Sequence, residues 1–202
     1  MDLIATITVE LQEKLSPKRY QHSLGVAKTA ESLAKHYGAD AQKAYLAGLV
    51  HDYAKEIPTE ETLLLLREKY AFFPDAMALR RPRLLHAPLG ACMVQHRFGI
   101  YDPEVLDAIR YHTTGKANMS LLAKIIYIAD FIEPNRSYPD VEKLREMAYE
   151  DIDKAILFAI DYTIRTLMDQ QMVIHPDTMH CRNDVVVTLE EKLAKQEKKD
   201  EN

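Results

Sequence analysis

Ser120-Leu121-Leu122-Ala123-Lys124-Ile125-Ile126-Tyr127-Ile128-Ala129-Asp130-Phe131-Ile132-Glu133-Pro134 is the stretch that decides the fold. Ser120 is placed to open a helix, and Pro134 stops it. The residues between them are almost all apolar, too many for a rim position. Of the few charged residues among them Asp130 stands out, because a carboxylate within that apolar run is costly to bury unless it is paired or binds a cation. The remaining chain also reads as helix. Glycine is scarce, with 6 in 202 residues, and strand-like alternation is hard to find. Ser16-Pro17 looks like a cap followed by a first-turn proline. The helix it opens carries Val26, Ala30, Leu33 and Tyr37 at helical spacing, and Gly38 is placed to end it. A second helix follows from about Asp40, with Leu46, Leu49, Val50 and Tyr53 on one side. Pro58-Thr59 opens another that runs through Leu63 to Leu66. His86-Ala87-Pro88 opens one that stops at Gly99, and Asp102-Pro103-Glu104 starts one leading through Val105 and Ile109 to His112. Asp151 to Met172 is long and amphipathic, with Ile152, Ile156, Ile160, Ile164 and Leu167 in register. A last helix is expected from Asp177 toward Lys195. The expected fold is all-α, a helical bundle. It forms a single domain over residues 1–202, with its core at about 17–184 and a charged, frayed tail at 196–202. The Pro-rich turn from Glu133 to Pro139 reads as an active-site loop rather than a linker.

Composition narrows the function classes. Hydrophobic residues make up 47% of the chain and charged residues 28%, ordinary for a globular protein. The net charge of -5 argues against a nucleic-acid partner. A small anionic substrate stays open, because local cations override the global sign. Two cysteines, Cys92 and Cys181, give no disulfide framework and fit a reducing cytoplasm. No signal peptide is read at the amino terminus, and the apolar runs are too short for a membrane span. The expectation is a cytoplasmic protein without a membrane partner, with a homodimer as the prior for its assembly.

The positions of certain histidines and aspartates carry the chemistry. His22 lies on the same helix face as Val26, Ala30 and Leu33, so it points inward. His51-Asp52 follows the apolar run Leu46 to Val50. His112 ends one apolar helix, and His86 begins another. Imidazoles and carboxylates without a thiolate form a nitrogen/oxygen ligand set. It suits iron(II), manganese, cobalt or zinc in a roughly octahedral site. Such an ion lowers the pKa of bound water.

His22 … His51-Asp52 … Asp130 resembles the signature of the HD phosphohydrolase superfamily. The flanking text tightens the resemblance: Arg19-Tyr20-Gln21-His22-Ser23-Leu24-Gly25-Val26, Ala47-Gly48-Leu49-Val50-His51-Asp52-Tyr53-Ala54-Lys55 and Leu85-His86-Ala87-Pro88-Leu89-Gly90-Ala91. Ile109-Arg110-Tyr111-His112-Thr113-Thr114-Gly115 and Tyr127 through Arg136 follow. Together, from about Pro17 to about Asp184, they are similar to the bacterial YqeK-type HD proteins. That resemblance implies symmetrical hydrolysis of diadenosine tetraphosphate to two ADP, with iron as the metal. It implies His22, His51, Asp52 and Asp130 as iron ligands. Arg19, Lys55, His86, His112, Thr113 and Arg136 match positions expected to face the nucleotide, and the segment Ile174-His175-Pro176-Asp177-Thr178 is placed to contribute.

The residues fit this chemistry on their own terms. Arg19 lies one helical turn before His22, Lys55 follows Asp52 at similar spacing, and Arg136 follows Pro134. Three cations from three segments around one metal make a phosphate cradle. His51 and Asp52 are the catalytic pair of the expected centre, and His112 or His86 is placed to protonate the leaving oxygen. One ion is expected, and a second through Asp52, His86 and His112 stays open. Each residue also has a structural reading: a buried hydrogen-bonded histidine, a solvated surface cation, an Asp130–Arg136 ion pair. His36, His96 and His180 match no motif and are read as structural, and Cys92 as core. Competing functions are another HD reaction (a dNMP nucleotidase, a triphosphohydrolase, an alarmone or cyclic-dinucleotide hydrolase) and a nucleotide-sensing module without turnover. The Gly-Tyr-Pro element of one cyclic-dinucleotide branch does not follow His51-Asp52.

Overall fold

The computed structural model describes residues 2–200. Its α-helices are α1 Leu3–Lys14, α2 Pro17–Tyr37, α3 Ala41–Val50, α4 Thr59–Leu64, α5 Ala76–Arg80, α6 His86–Phe98, α7 Pro103–Tyr111, α8 Leu121–Ile132, α9 Val141–Glu150, α10 Ile152–Asp169 and α11 Pro176–Asp200. No strand occurs among the described residues, so the all-α expectation holds. Helix starts are set by short polar side chains that satisfy the first free amides. Ser16 accepts from the Arg19 amide, Asp40 from those of Gln42 and Lys43, Asp102 from that of Glu104 and Ser120 from that of Ala123. No helix among the described residues is long and apolar enough to cross a membrane.

α8 is the central element, packed against α2, α3, α7, α9 and α10. Ile125, Ile126, Ile128 and Ala129 are fully buried, which explains why this helix is apolar on all sides. Lys124, at its start, donates to the buried Asp153 of α10 (2.6 Å), so the one cation on this helix is matched. α2 and α3 cross very closely. A Cβ on Gly48 would lie 2.9 Å from the Ala27 Cα, so only glycine lets the two backbones meet there. That crossing brings His22 on α2 within reach of His51, the residue that follows α3. A smaller apolar cluster of Ala54, Leu66, Leu85 and Leu89 sits beneath the segment from α4 to α6.

Several boundaries differ from those read in the sequence. α1 is absent from that reading because Thr6-Ile7-Thr8-Val9 is a β-branched run with weak helix preference. Burial of Ile7 and Leu11 at 0% exposure overrides it. α9 is also unforeseen, since its first flank, Asp140, sits at φ 66 and makes no side-chain cap. α5 is a single short turn-rich helix capped by Asp75. The Leu63–Leu66 run is not one buried face: Leu66 is core, while Leu64 is 60% exposed, as α4 gives way to a π-turn over Leu65–Lys69. α10 ends at Asp169 rather than Met172, because Gln171 takes a left-handed φ of 52. α11 starts at Pro176 and runs to Asp200, so residues 196–200 of the expected frayed tail are helical. Residues 201–202 of that tail lie outside the described residues.

Gly48→Ala is expected to cost about 1–3 kcal/mol of unfolding free energy, measured by urea denaturation. Gly90→Ala serves as the control: its added Cβ would meet nothing closer than 3.7 Å, and near-wild-type stability is expected.

Candidate metal centre

Four imidazoles line up edge to face in the order His22, His51, His112, His86, with successive ring centroids 5.3, 4.9 and 5.0 Å apart. They come from four places: inside α2, just after α3, just after α7 and at the first residue of α6. All are buried, His51 completely. Each has its Nδ1 tied to an oxygen. His51 donates to the carbonyl of Gly48 (2.6 Å), His86 to that of Arg83 (2.6 Å) and His112 to that of Ile109 (2.7 Å). In all three the acceptor is the residue three positions earlier, so a single turn of backbone fixes each tautomer. His22 differs. Its Nδ1 donates to the Glu133 carboxylate (3.1 Å).

With every Nδ1 committed as a donor, each Nε2 presents a lone pair. All four point toward Asp52, which is 2% exposed. Asp52 Oδ1 lies 3.0 Å from His86 Nε2, 3.4 Å from His112 Nε2 and 3.7 Å from Lys55 Nζ. Asp52 Oδ2 lies 2.7 Å from Arg19 Nη1, 3.5 Å from His51 Nε2 and 3.7 Å from His22 Nε2. Asp130, in the last turn of α8, brings its Oδ1 to 3.1 Å from His22 Nε2. The Arg136 guanidinium pairs with that carboxylate and also donates to the Asp130 carbonyl (2.7 Å).

The donor set fits a divalent cation. The Nε2 atoms of His22 and His51 are buried without a hydrogen-bond partner, a costly state for a polar atom unless something electrophilic meets it. His22, His51 and Asp130 offer one ligand atom each within 4.8 Å of one another, as do His51, Asp52 and His112. All the donors are nitrogen or oxygen, and the two cysteines, Cys92 and Cys181, lie elsewhere as free, buried thiols.

Of the other residues singled out in the sequence, Arg19, Lys55 and His86 line one cavity of about 420 Å³ together with Arg83. Lys55 Nζ reaches His86 Nε2 at 3.1 Å. Asp130 and Arg136 line another cavity on the far flank. Thr113 lines a third cavity together with Phe72, Pro88, Arg110, His175 and Asp177. Pro176 is exposed, between two residues of that lining. His36, His96 and His180 take no part in the centre.

The model of the HD domain matches residues 19–135. This chain belongs to the HD domain family. It is 48% identical over 178 residues to the symmetrical bis(5'-nucleosyl)-tetraphosphatase of Halalkalibacterium halodurans, a span of 86% of this chain and 91% of the relative. It is 43% identical to the protein of the same name from Bacillus subtilis, over 87% of this chain and 94% of that one. A crystal structure from Clostridium acetobutylicum, described as a predicted HD superfamily hydrolase involved in NAD metabolism, superposes with a TM-score of 0.89 at 43% identity. It covers 92% of this chain and 97% of that one.

The roles of three residues around this HD centre, Glu133, Gly25 and Arg145, escaped the sequence reading. Glu133 is 1% exposed. One of its oxygens holds His22, and the other accepts from the Asn135 amide (2.8 Å) and side chain (3.0 Å). Gly25 makes the room: a Cβ there would sit 2.5 Å from Glu133 Oε2. Arg145 of α9 then clamps the loop, donating to the carbonyls of Ile132, Glu133 and Arg136, each at 3.0 Å. The available signal was Glu133 itself, three residues past Asp130 and directly after the apolar helix.

The electrostatics follow from burial set against pairing. Burial would raise the Asp52 carboxyl, but the His51 imidazole first, then the neighbouring rings of His112 and His86, hold it well below its usual range. Desolvation likewise opposes the ionised Asp130, and the adjacent His22 ring, His51 and Arg136 overcome it, holding this carboxyl far below normal. Burial pushes the His86 imidazole down to about 4, with His112 and Lys55 adding to it against the pull of Asp52.

Two outcomes are expected. Glu133→Gln weakens divalent-metal binding ~10–100-fold, as read by chelator competition, while the helical circular dichroism is unchanged. Gly25→Ala moves the affinity in the same direction by displacing the carboxylate. In metal-free protein, an unfolded His86 takes up a proton below about pH 6.5, while the native residue does so only near 4. Stability therefore falls across that interval, and His86→Gln flattens the slope in denaturation curves taken from pH 7 to 4. The contribution of Asp52 and Asp130 is fully present above about pH 4 and is lost only as the pH drops below it.

Proposed function

We propose that this chain hydrolyses dinucleoside tetraphosphates symmetrically, converting diadenosine tetraphosphate to two ADP. The observation that carries the reading is the approach of four Nε2 atoms to Asp52, with Asp130 beside His22 and with Arg19, Lys55 and Arg136 facing the two carboxylates. The identity of 48% to an enzyme of that name supports it. His22, His51, Asp52 and Asp130 would hold the metal, with iron as the expected ion and manganese or cobalt as functional substitutes. When bound, the ion supplies Lewis acidity, polarising a phosphoryl oxygen and lowering the pKa of water.

The chain's own residues supply the rest. Arg19 and Lys55 face the Asp52 side and, with Arg83, make a cationic cavity for the phosphates of one departing half. Arg136 faces the Asp130 side and serves the phosphates of the other. Thr113 leads from His112 into the cavity floored by Phe72 and Pro88, where a nucleoside is held. The Arg110 guanidinium lies 5.7 Å over the Phe72 ring there, and its Nε is buried without a partner, ready for a polar edge. Lys55 supports the reading with one ion rather than two. Its ammonium already stands 3.1 Å from His86 Nε2, where a second ion through Asp52, His86 and His112 would have to approach. One ion is therefore favoured. With His86 Nε2 accepting from Lys55, His112 is the residue placed beside Asp52 Oδ1 to carry a proton to the leaving phosphate oxygen. The free cysteines fit a cytoplasmic setting.

Iron- or manganese-loaded protein is expected to convert diadenosine tetraphosphate to ADP alone, followed by anion-exchange chromatography. Production of AMP with ATP would contradict the symmetrical cut. His51→Ala should lower turnover by more than ~100-fold with the helical content preserved, and binding without any turnover in the wild type would favour a sensing module.

A further inference from the structure

We infer that the cavity on the Asp130 flank, about 280 Å³ and lined by Asp130, Phe131, Arg136, Tyr138 and Tyr162, is a second nucleobase shelf, so that each half of the substrate has its own base platform. The inference rests on the function proposed above. A symmetrical cut places two equal ADP halves on opposite sides of the attacked bond, and both must be seated for the inner phosphorus to meet the metal centre. Two cavities include a residue of the centre, His86 in one and Asp130 in the other, and a third begins at Thr113, next to His112 in the chain; the three differ in chemistry. The one at Arg19, Lys55 and Arg83 contains no Phe or Tyr and is built for phosphate. The one reached through Thr113 has a single aromatic wall pair, Phe72 and Tyr111, and takes one nucleoside.

The Asp130 cavity offers three aromatic side chains beside one guanidinium. The rings of Tyr138 and Tyr162 stack with centroids 5.5 Å apart at an interplanar angle of 30°. Tyr138 is fixed by donating its hydroxyl to the Phe131 carbonyl (3.0 Å). Tyr162, on α10, is 40% exposed and leaves a ring surface open to a planar ligand. Arg136 stands between this shelf and the centre, paired with Asp130, where it meets phosphate before the base meets tyrosine. A flat heterocycle carried on a diphosphate matches that order of groups, since stacking on aromatic rings is tolerant of the base while the cation reads the phosphate. Tyr138 also packs against the core, whereas Tyr162 lies outside it, so core packing does not account for the Tyr162 ring.

The test counts product. Manganese-loaded wild-type protein is expected to bind two ADP per chain in isothermal titration. Tyr162→Ala should weaken one of the two by about tenfold or more, raise KM for diadenosine tetraphosphate to a similar extent, and leave metal content unchanged. Tyr162→Phe, which keeps the ring, should restore both values. A wild type that binds a single ADP, or a Tyr162→Ala variant with both ADP sites intact and an unchanged KM, would overturn the shelf while the symmetrical hydrolysis stands. Absence of ADP formation by the wild type would remove the proposed function, and the shelf with it.

Discussion

Asp52 imposes the constraint on which the rest of the structure turns. A carboxylate 2% exposed survives as an anion only if nearby charge and hydrogen bonding exceed its desolvation cost. The fold meets this by bringing donors from α2, from the turn after Asp52, from α6 and from the end of α7 to its two oxygens. The two histidines among them are each held by their own backbone turn, so the cost is spread over several elements. The close crossing of α2 and α3 at Gly48 and Ala27 is the geometric counterpart: without it, His22 and His51 would not share a centre with Asp52.

The same economy explains why so much of the site was legible. His22, His51, Asp52 and Asp130 stand out because polar residues on apolar helix faces break the expected pattern, and the caps Ser16, Asp40, Asp102 and Ser120 set the register of the helices that carry them. Arg19, Lys55 and Arg136 follow from local spacing along the chain. What the sequence concealed depends on contacts far apart along it. Glu133 meets His22 across 111 positions, and no local pattern records that distance. α1 was hidden by its β-branched run, whose helix is imposed by burial of Ile7 and Leu11. α9 was hidden by a start without a cap, and its worth shows only in Arg145 reaching back to three carbonyls of the active-site loop.

His22 is distinguished from the other three imidazoles by that carboxylate. A backbone carbonyl fixes orientation; an anion also makes the ring a stronger donor through Nε2. Of the four, His22 alone stands close to Asp130 as well as Asp52, so the carboxylate-held imidazole sits beside both acidic side chains. An added positive charge is most favoured at that position, and Glu133 raises the demand for it without entering the site.

The distribution of charge then bears on what the site admits. The chain as a whole is at -5, which repels large polyanions at a distance. Arg19, Lys55 and Arg83 on one flank and Arg136 on the other reverse the sign only within the cleft. At about 8 Å the Debye length at physiological salt is shorter than a nucleic-acid contact surface, so such local reversal is felt by a small flexible anion but not along a duplex. Cations on both sides of the metal centre, rather than on one, suit a substrate whose charge extends in both directions from the bond that breaks. A terminal phosphate would leave one flank unpaired with substrate. An internal phosphate engages both, and that asymmetry in electrostatic reward favours attack at an internal phosphate over a terminal one.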